Sequence, residues 1–144
     1  MEKRHEIVII ITDDDEGHAE LIREGLRDSG ITTPILRFVD GEELWNFVSG
    51  KTVRGETRKK DKGYVILLDI NMPRMDGIEV VTKIRQNTDT QGIPIIMLTT
   101  TDDPREVERC YQAGCSIYIV KPVDFSLFSE NLRRLGLFLQ IIQV

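Results

Sequence analysis

Carboxylates, hydroxyls and one lysine each follow a short apolar run of the sequence. They are Asp13 and Asp14, Asp69, Thr99 with the two threonines after it, and Lys121. Three carboxylates brought close together repel one another, and a divalent cation would offset that repulsion. Hard oxygen ligands favour Mg²⁺. With a lysine and hydroxyl donors nearby, such a cluster suits transfer of a phosphoryl group onto an Asp carboxylate, which forms a covalent acyl-phosphate.

These groups are predicted to meet because the apolar runs have the character of strands in one parallel sheet. Five such runs alternate with segments of helical spacing: Ile7–Ile11, Pro34–Val39, Tyr64–Leu68, Ile93–Leu98 and Ser116–Val120. Nearly continuous apolar runs are typical of parallel strands that are covered on both faces. Five βα units in succession predict a doubly wound α/β fold. In such sheets the functional crevice lies at the carboxyl ends of the strands.

Aspartates at the predicted helix starts support the same alternation. The candidate N-caps are Asp15, Asp40, Asp76, Asp103 and Asp124. Asp40 with Glu43 and Asp76 with Glu79 have the spacing of capping boxes, and Pro104 stands at a first helical position. Helix capping would explain any single Asp near a strand end. It does not explain polar groups after four different strands.

Length and composition predict one domain, residues 1–144, with a core over about 6–136 and an apolar extension over 137–144. The chain has 144 residues, of which 40% are hydrophobic and 30% charged. The net charge of -5 argues against nucleic acid as the main partner. No apolar run has the length of a membrane span, and the first residues do not form a signal peptide. We therefore expect a cytoplasmic protein in which Cys110 and Cys115 are free, buried thiols.

Two segments allow alternative interpretations. Residues 51–62 carry six Lys or Arg residues against two acids, which indicates either a solvated loop or a patch for nucleic acid or another anionic partner. The tail, residues 136–144, either extends the last helix against the core or is exposed and drives self-association. The second alternative for the tail would produce a homodimer.

The combined motifs resemble the receiver domain of response regulators in two-component signalling. Four segments carry the resemblance: IIITDDD (9–15), LLDINMPRMDG (67–77), MLTTT (97–101) and YIVKP (118–122). It implies a flavodoxin-like (βα)₅ fold with strand order 2-1-3-4-5. It also implies a protein that accepts a phosphoryl group from a sensor histidine kinase. The protein would then signal to a partner through the face formed by the fourth helix, fifth strand and fifth helix.

The same resemblance assigns roles to individual residues at the sheet edge. Asp69 matches the phosphoacceptor. Asp13 and Asp14 match the acidic pair that binds Mg²⁺ together with Asp69 and the backbone carbonyl of Asn71. Lys121 matches the lysine that contacts the phosphoryl oxygens. By the resemblance, these residues would catalyse both transfer and later hydrolysis of the phosphoryl group.

Further positions match the family's switch and its turns. Thr99 and Tyr118 match the switch pair, in which the threonine hydroxyl moves toward the phosphoryl group and the tyrosine ring rotates into the vacated space. Gly77 matches the glycine that allows a tight turn after the acceptor. The Lys121–Pro122 bond is expected to be cis. Glu16 and Thr12 depart from the commonest pattern without removing a ligand.

Two other functions compete with a phosphorylated switch. An Asp-nucleophile phosphatase of the haloacid-dehalogenase type would need a second carboxylate where Asn71 stands. A receiver-like binding module that works without phosphorylation would be expected to lack an acidic or lysine position, and none is lost. We therefore expect a signalling switch and not a metabolic enzyme. The basic segment and the apolar tail further resemble regulators associated with phytochrome kinases.

Overall fold

The computed structural model describes residues 6–70, 72, 74–99, 103–120, 130 and 133–134. The described strands are β1 (Glu6–Thr12), β2 (Ile35–Phe38), β3 (Lys62–Leu68), β4 (Ile95–Thr99) and β5 (Ile117–Val120). The helices with assigned bounds are α1 (Glu16–Asp28), α2 (Gly41–Val48), α3 (Gly77–Gln86) and α4 (Pro104–Ala113). Residues 130, 133 and 134 are also helical, where a fifth helix is predicted. Its predicted cap, Asp124, lies outside the described residues.

The five strands form one parallel sheet in the order β2-β1-β3-β4-β5. This confirms the predicted fold class and strand order. In β1, Ile9 lies opposite Ile35 on one side and Val65 on the other. Because β1 is next to β3 in the sheet and both run in the same direction, the residues that follow these two strands meet at one edge.

Alternating strand residues face two separate cores. On one face, Ile10, Ile66 and Met97 pack with buried residues of α2, α3 and α4. On the other, Ile9 and Leu67 pack with buried residues of α1. Burying each large aliphatic side chain stabilises the fold by about 1.5–3 kcal/mol. The two cores hold the helices against the sheet and fix where each helix N-terminus lies.

Four of the five predicted helix caps lie within the described residues, and all four are present. Asp15, Asp40 and Asp76 each accept a hydrogen bond from a backbone N–H three residues on, at distances of 3.0, 2.8 and 2.9 Å. Asp103 caps α4 through the N–H of Arg105 at 2.9 Å. At the other end of α4, Gly114 has φ +114°, a left-handed conformation that favours glycine.

The basic segment folds back on itself. Val53 and Glu56 exchange two backbone hydrogen bonds of 2.9 Å each. The two residues between them, Arg54 and Gly55, have positive φ angles of 51° and 80°, as a two-residue hairpin turn requires. Most side chains of the segment are exposed, which fits the solvated-loop alternative. The last residue of the segment, Lys62, already belongs to β3.

Several predictions concern residues that the structure does not describe. They include the apolar tail, the Lys121–Pro122 bond and the two threonines after Thr99. The helices of the described residues offer no segment with the length and apolar character that crossing a membrane requires. Cys110 and Cys115 are free and buried, as predicted.

Candidate functional site

Three carboxylates lie together at the carboxyl edge of the sheet. Oxygen atoms of Asp13, Asp14 and Asp69 are all within 4.8 Å of one another. Their exposure differs: Asp13 is buried, Asp69 is half-buried and Asp14 is exposed. The sequence prediction that these residues meet is therefore correct. Among the described residues they form the one acidic cluster with the spacing of a metal site.

Backbone hydrogen bonds from the sheet position this cluster. The N–H of Asp69 donates to the carbonyl of Thr12 at 3.0 Å, and the N–H of Asp13 donates to the carbonyl of Phe38 at 3.2 Å. The carboxylate of Asp13 also accepts the N–H of Asp15 at 2.9 Å. The main chain at the end of β1 is thus bonded to both neighbouring strands, and the Asp13 carboxylate is also held by a backbone N–H.

The loop between β3 and α3 turns closely over Asp69. The N–H of Gly77 donates to the carbonyl of Ile70 at 2.9 Å. A Cβ on Gly77 would lie 2.7 Å from the carbonyl oxygen of Asp69. The glycine predicted for a tight turn is therefore required because the backbone of Asp69 passes too close for a side chain.

The same loop packs on the N-terminus of α2. A Cβ on Gly41 would overlap the carbonyl oxygen of Met75. Arg74, which has a positive φ of 66°, places its Nε 3.1 Å from the carboxylate of Asp40. Asp40 is 1% exposed, so this ion pair supplies the charge partner that a buried carboxylate needs. The loop after Asp69 and the N-terminus of α2 therefore share a tight contact.

A second arginine reaches the same helix end from the basic segment. The Nε of Arg54 lies 3.0 Å from Glu43, which also accepts the N–H of Val39 at 2.9 Å. Burial alone would raise the pKa of Glu43, but these two hydrogen bonds and the charges of Arg54 and Arg74 hold that pKa below its usual value. Glu43 therefore remains ionised at neutral pH and fixes the basic segment to α2.

A third arginine, which the sequence analysis did not identify, lies beside the acidic cluster. Nη2 of Arg37 on β2 donates to the carbonyl oxygen of Asp13 at 3.0 Å. Its signal in the sequence is a lone charged residue inside the apolar run ILRF. A charged side chain in such a short and otherwise apolar strand indicates a polar partner near the end of that strand.

The predicted switch residues share one face of the sheet. Thr99 is fully buried at the end of β4. Leu98 packs on the α1 side, so the next residue, Thr99, faces the opposite side. Tyr118 is half-buried and packs against the core on that opposite side. Tyr118 pairs with Met97 in the sheet register, two residues before Thr99 on the neighbouring strand β4. Thr99 and Tyr118 therefore lie on neighbouring strands and face the same side of the sheet.

Two predicted site residues, Lys121 and Asn71, lie outside the described residues. A cavity of about 420 Å³ is found elsewhere, between α1 and the helical residues Glu130 and Arg133. It shares no residue with the acidic cluster. Within the cluster, Asp14 is the exposed carboxylate and Asp13 is buried.

The donor set determines what this edge can do chemically. Carboxylate oxygens are the ligands that Mg²⁺ prefers, and three of them within 4.8 Å can contribute to one coordination sphere. A half-buried carboxylate beside a bound cation is also a competent nucleophile toward phosphorus, because the cation offsets repulsion between the two anions.

Comparison with known proteins shows extensive similarity to one family. The family described as "Response regulator receiver domain" matches residues 9–133 of this chain. The response regulator Rcp1 of Synechocystis sp. is 31% identical over 136 residues, which cover 94% of this chain and 86% of that protein. The family match reaches from within β1 to beyond β5, and so it extends beyond the motifs at the sheet edge.

Solved structures show the same similarity. A response regulator receiver domain from Rhodospirillum rubrum has a TM-score of 0.83 at 37% identity and covers 95% of this chain and 96% of that chain. The Mn²⁺-bound form of Rcp1 also has a TM-score of 0.83, at 26% identity, with 94% and 96% covered. Response regulator RPA3017, in red light signalling of R. palustris, has a TM-score of 0.78 at 26% identity, with 91% and 92% covered.

Proposed function

Because the chain belongs to the response regulator receiver domain family, we propose that it is a signalling switch that accepts a phosphoryl group on Asp69 from a sensor histidine kinase. The observation that carries the proposal is the cluster of Asp13, Asp14 and Asp69 within 4.8 Å. Receiver domains take phosphate from histidine kinases and act on downstream partners. The switch function is proposed here for these particular residues.

The transfer step is a displacement at phosphorus. A carboxylate oxygen of Asp69 attacks the phosphorus of the kinase phosphohistidine, an O–P bond forms, and the P–N bond breaks to return the imidazole to the kinase. When the signal ends, water attacks the same phosphorus, the bond between phosphorus and the Asp69 oxygen breaks, and inorganic phosphate leaves. No oxidant or further co-reactant is needed in either step.

The cluster fits a divalent cation, and we propose Mg²⁺. Asp13, Asp14, Asp69 and the backbone carbonyl of Asn71 would hold it, and the oxygen-only donor set suits a hard cation. When bound, the cation neutralises charge on the phosphoryl oxygens. Asp69 must stay deprotonated to act as the nucleophile, and Asp13 is fixed by its bond to the N–H of Asp15 at 2.9 Å.

The remaining predicted residues would convert phosphorylation into a change of shape. Lys121 would pair with the phosphoryl oxygens, and the hydroxyl of Thr99 would donate to one of them. Tyr118 would then rotate toward the space left by Thr99, because both lie on the same side of the sheet. A phosphoryl group adds a charge of about -1.5 to -2 at neutral pH, enough to bias a two-state element. The altered face would be that of α4, β5 and the predicted fifth helix, where a partner protein binds.

Three narrower proposals concern the setting of the switch. We propose that residues 1–144 act as one receiver domain in the cytoplasm, without direct contact with DNA or membrane. The second proposal is that the tail, residues 136–144, joins two copies of the chain in a homodimer. The third is that the kinase belongs to a light-sensing, phytochrome-type system. The similarity to RPA3017, a regulator in red light signalling, supports the light-sensing part of this proposal. Phosphotransfer from purified candidate kinases, compared at equal times, tests the third proposal.

The central test is covalent labelling with acetyl phosphate and Mg²⁺. Intact-mass measurement should show a gain of about 80 Da for the wild type. Asp69→Asn should show none, because the amide cannot accept the group. Asp89→Asn is the matched control, since it removes an exposed carboxylate outside the cluster and should label like the wild type. A labelled Asp69→Asn protein would contradict the proposal.

The labelling experiment and an assay of phosphate release together separate the alternative functions. A wild type that gains no mass would favour a binding module that works without phosphorylation. Continuous release of phosphate from unrelated phosphate esters, at many turnovers per protein, would favour a phosphatase. The proposed switch predicts neither result, because each protein molecule carries at most one phosphoryl group, on Asp69.

A further inference from the structure

Arg37 brings a positive charge to the acidic cluster from a strand that carries none of the proposed ligands. Its Nη2 donates to the backbone carbonyl oxygen of Asp13 at 3.0 Å. The guanidinium therefore lies within several ångströms of the carboxylate of the same residue. Arg37 is half-buried, and its Nε is buried without a hydrogen-bond partner among the described residues. A guanidinium in this position is only partly hydrated and partly bonded.

Charge provides a reason for keeping an incompletely bonded guanidinium at this point. Asp13, Asp14 and Asp69 repel one another when no cation lies between them, and Asp13 is only 1% exposed, so water screens it poorly. A fixed positive charge close to Asp13 lowers the free energy of the folded chain in that state. The same charge opposes the entry of any further cation into the cluster.

We propose that Arg37 is a built-in counterion of the acidic cluster, which stabilises the metal-free chain and weakens the cluster's affinity for Mg²⁺. The inference rests on the proposed function, because it takes the cluster to be the cation site. Arg37 is a positioning and charge-balancing residue. It is not a ligand, since a guanidinium has no acceptor for a metal.

Thermodynamic linkage gives the proposal a definite sign. Removing the charge of Arg37 should destabilise the metal-free chain more than the Mg²⁺-bound chain, because the bound cation has already offset the carboxylate repulsion. The difference between the two changes in the free energy of unfolding equals RT times the logarithm of the ratio of the Mg²⁺ dissociation constants. Even at a dielectric near that of water, loss of one charge several ångströms from a divalent cation should tighten binding by about three- to tenfold.

The test is calorimetric titration of the full chain with MgCl₂, together with thermal unfolding in EDTA and in saturating Mg²⁺. Arg37→Gln keeps a hydrogen-bond donor and removes the charge, so its Mg²⁺ dissociation constant should fall by about three- to tenfold. Its unfolding temperature should drop in EDTA and drop less in Mg²⁺. Arg37→Lys keeps the charge and should bind Mg²⁺ within about twofold of the wild type.

Arg27→Gln is the matched control. Arg27 also donates from its guanidinium to backbone carbonyls, those of Ile31 and Thr33, at 2.9 and 2.8 Å. It lies at the other end of α1 from the cluster, so its replacement should lower the unfolding temperature equally in EDTA and Mg²⁺. Its Mg²⁺ affinity should equal that of the wild type.

The outcomes separate this inference from the proposed function. Unchanged or weaker Mg²⁺ binding in Arg37→Gln, with normal binding in the wild type, overturns the counterion role and leaves the proposed function intact. A wild type that does not bind Mg²⁺ overturns both. If Arg37→Gln fails to fold in EDTA, Arg37→Lys decides, and an affinity several-fold weaker in that variant would show that guanidinium geometry matters and charge does not.

Discussion

Thr12 and Thr90 are both buried threonines, at 1% exposure each, but their hydroxyls differ in bonding. The Oγ1 of Thr90 donates to the carbonyl of Ile84 at 2.8 Å. The Oγ1 of Thr12, at the end of β1, has no hydrogen-bond partner among the described residues. A buried hydroxyl without a partner costs about 1–3 kcal/mol of desolvation. The two residues therefore make opposite contributions to stability.

Replacing Thr12 by Val should stabilise the protein. The exchange keeps the shape of the side chain and removes the unbonded hydroxyl, so the free energy of unfolding should rise by about 1 kcal/mol. Urea unfolding followed by circular dichroism in EDTA measures it. Thr90→Val is the matched comparison and should be destabilised by about 1–2 kcal/mol. Equal effects in the two variants would show that the Thr12 hydroxyl is satisfied.

At the residue level, the sequence predicts the carboxylates better than the arginines around them. Asp13 and Asp69 are predicted by position alone, because each follows an apolar strand. Arg37 is not, since its partner is 24 residues away and the contact depends on the register between β1 and β2. The same holds for Arg54, whose left-handed conformation contradicts the usual preference of a long side chain.

At the scale of elements, one arginine holds together three parts of the chain that are separate in sequence. Nε of Arg85, near the end of α3, donates to the carbonyl of Gly114 at 2.7 Å, after α4. Its Nη1 donates to the carbonyls of Gln91 and Ile93 at 2.9 and 2.6 Å, before β4. Burial lowers the pKa of Arg85 from its usual value. The hydrogen-bond acceptors of this guanidinium are thus mainly backbone carbonyls.

Arg85→Met should be strongly destabilising. It leaves three carbonyl groups without their donor, and such losses at partly buried sites amount to about 2–4 kcal/mol. Arg109→Met is the control, because Arg109 is exposed and its ion pair among the described residues is with Glu106 of the same helix. It should change stability by less than about 0.5 kcal/mol. Chemical unfolding of both variants tests this, and similar losses would be against a special role for Arg85.

Element boundaries differ from the sequence prediction in two informative places. β3 begins at Lys62 and not at Tyr64, because Lys62 pairs with Glu6 both in the sheet register and through an ion pair of 3.6 Å. β4 begins at Ile95, after Pro94, which has no N–H to give to the sheet. Neither boundary follows from hydrophobic periodicity. Each depends on the neighbouring strand or on one backbone group.

At the scale of the whole molecule, the two thiols report on global unfolding. Cys110 and Cys115 are buried at 1% and 7% exposure. Burial, with a smaller effect of the neighbouring Cys115, raises the pKa of Cys110 to about 11. In the unfolded chain this thiol would titrate near its ordinary value, about 8.5. The folded state therefore binds the proton more tightly than the unfolded state.

Stability should consequently fall in alkaline solution. The contribution of the neutral Cys110 thiol is fully present below the unfolded pKa and is lost as pH rises toward the folded value of about 11. A shift of this size corresponds to about 3 kcal/mol. Urea unfolding at successive pH values under reducing conditions should show a steeper decline for the wild type than for Cys110→Ala. Parallel curves would contradict the expectation.

The contact between Gly41 and Met75 has a mechanical consequence for the whole domain. Backbone meets backbone there with no side chain to deform, because a Cβ on Gly41 would overlap the Met75 carbonyl. No flexible side chain of Gly41 can absorb a movement of the loop after Asp69 toward α2. An inward displacement of the loop must push the helix, and the helix carries the hairpin of the basic segment through Glu43 and Arg54. A shift of α2 would therefore also displace the hairpin that Arg54 joins to it.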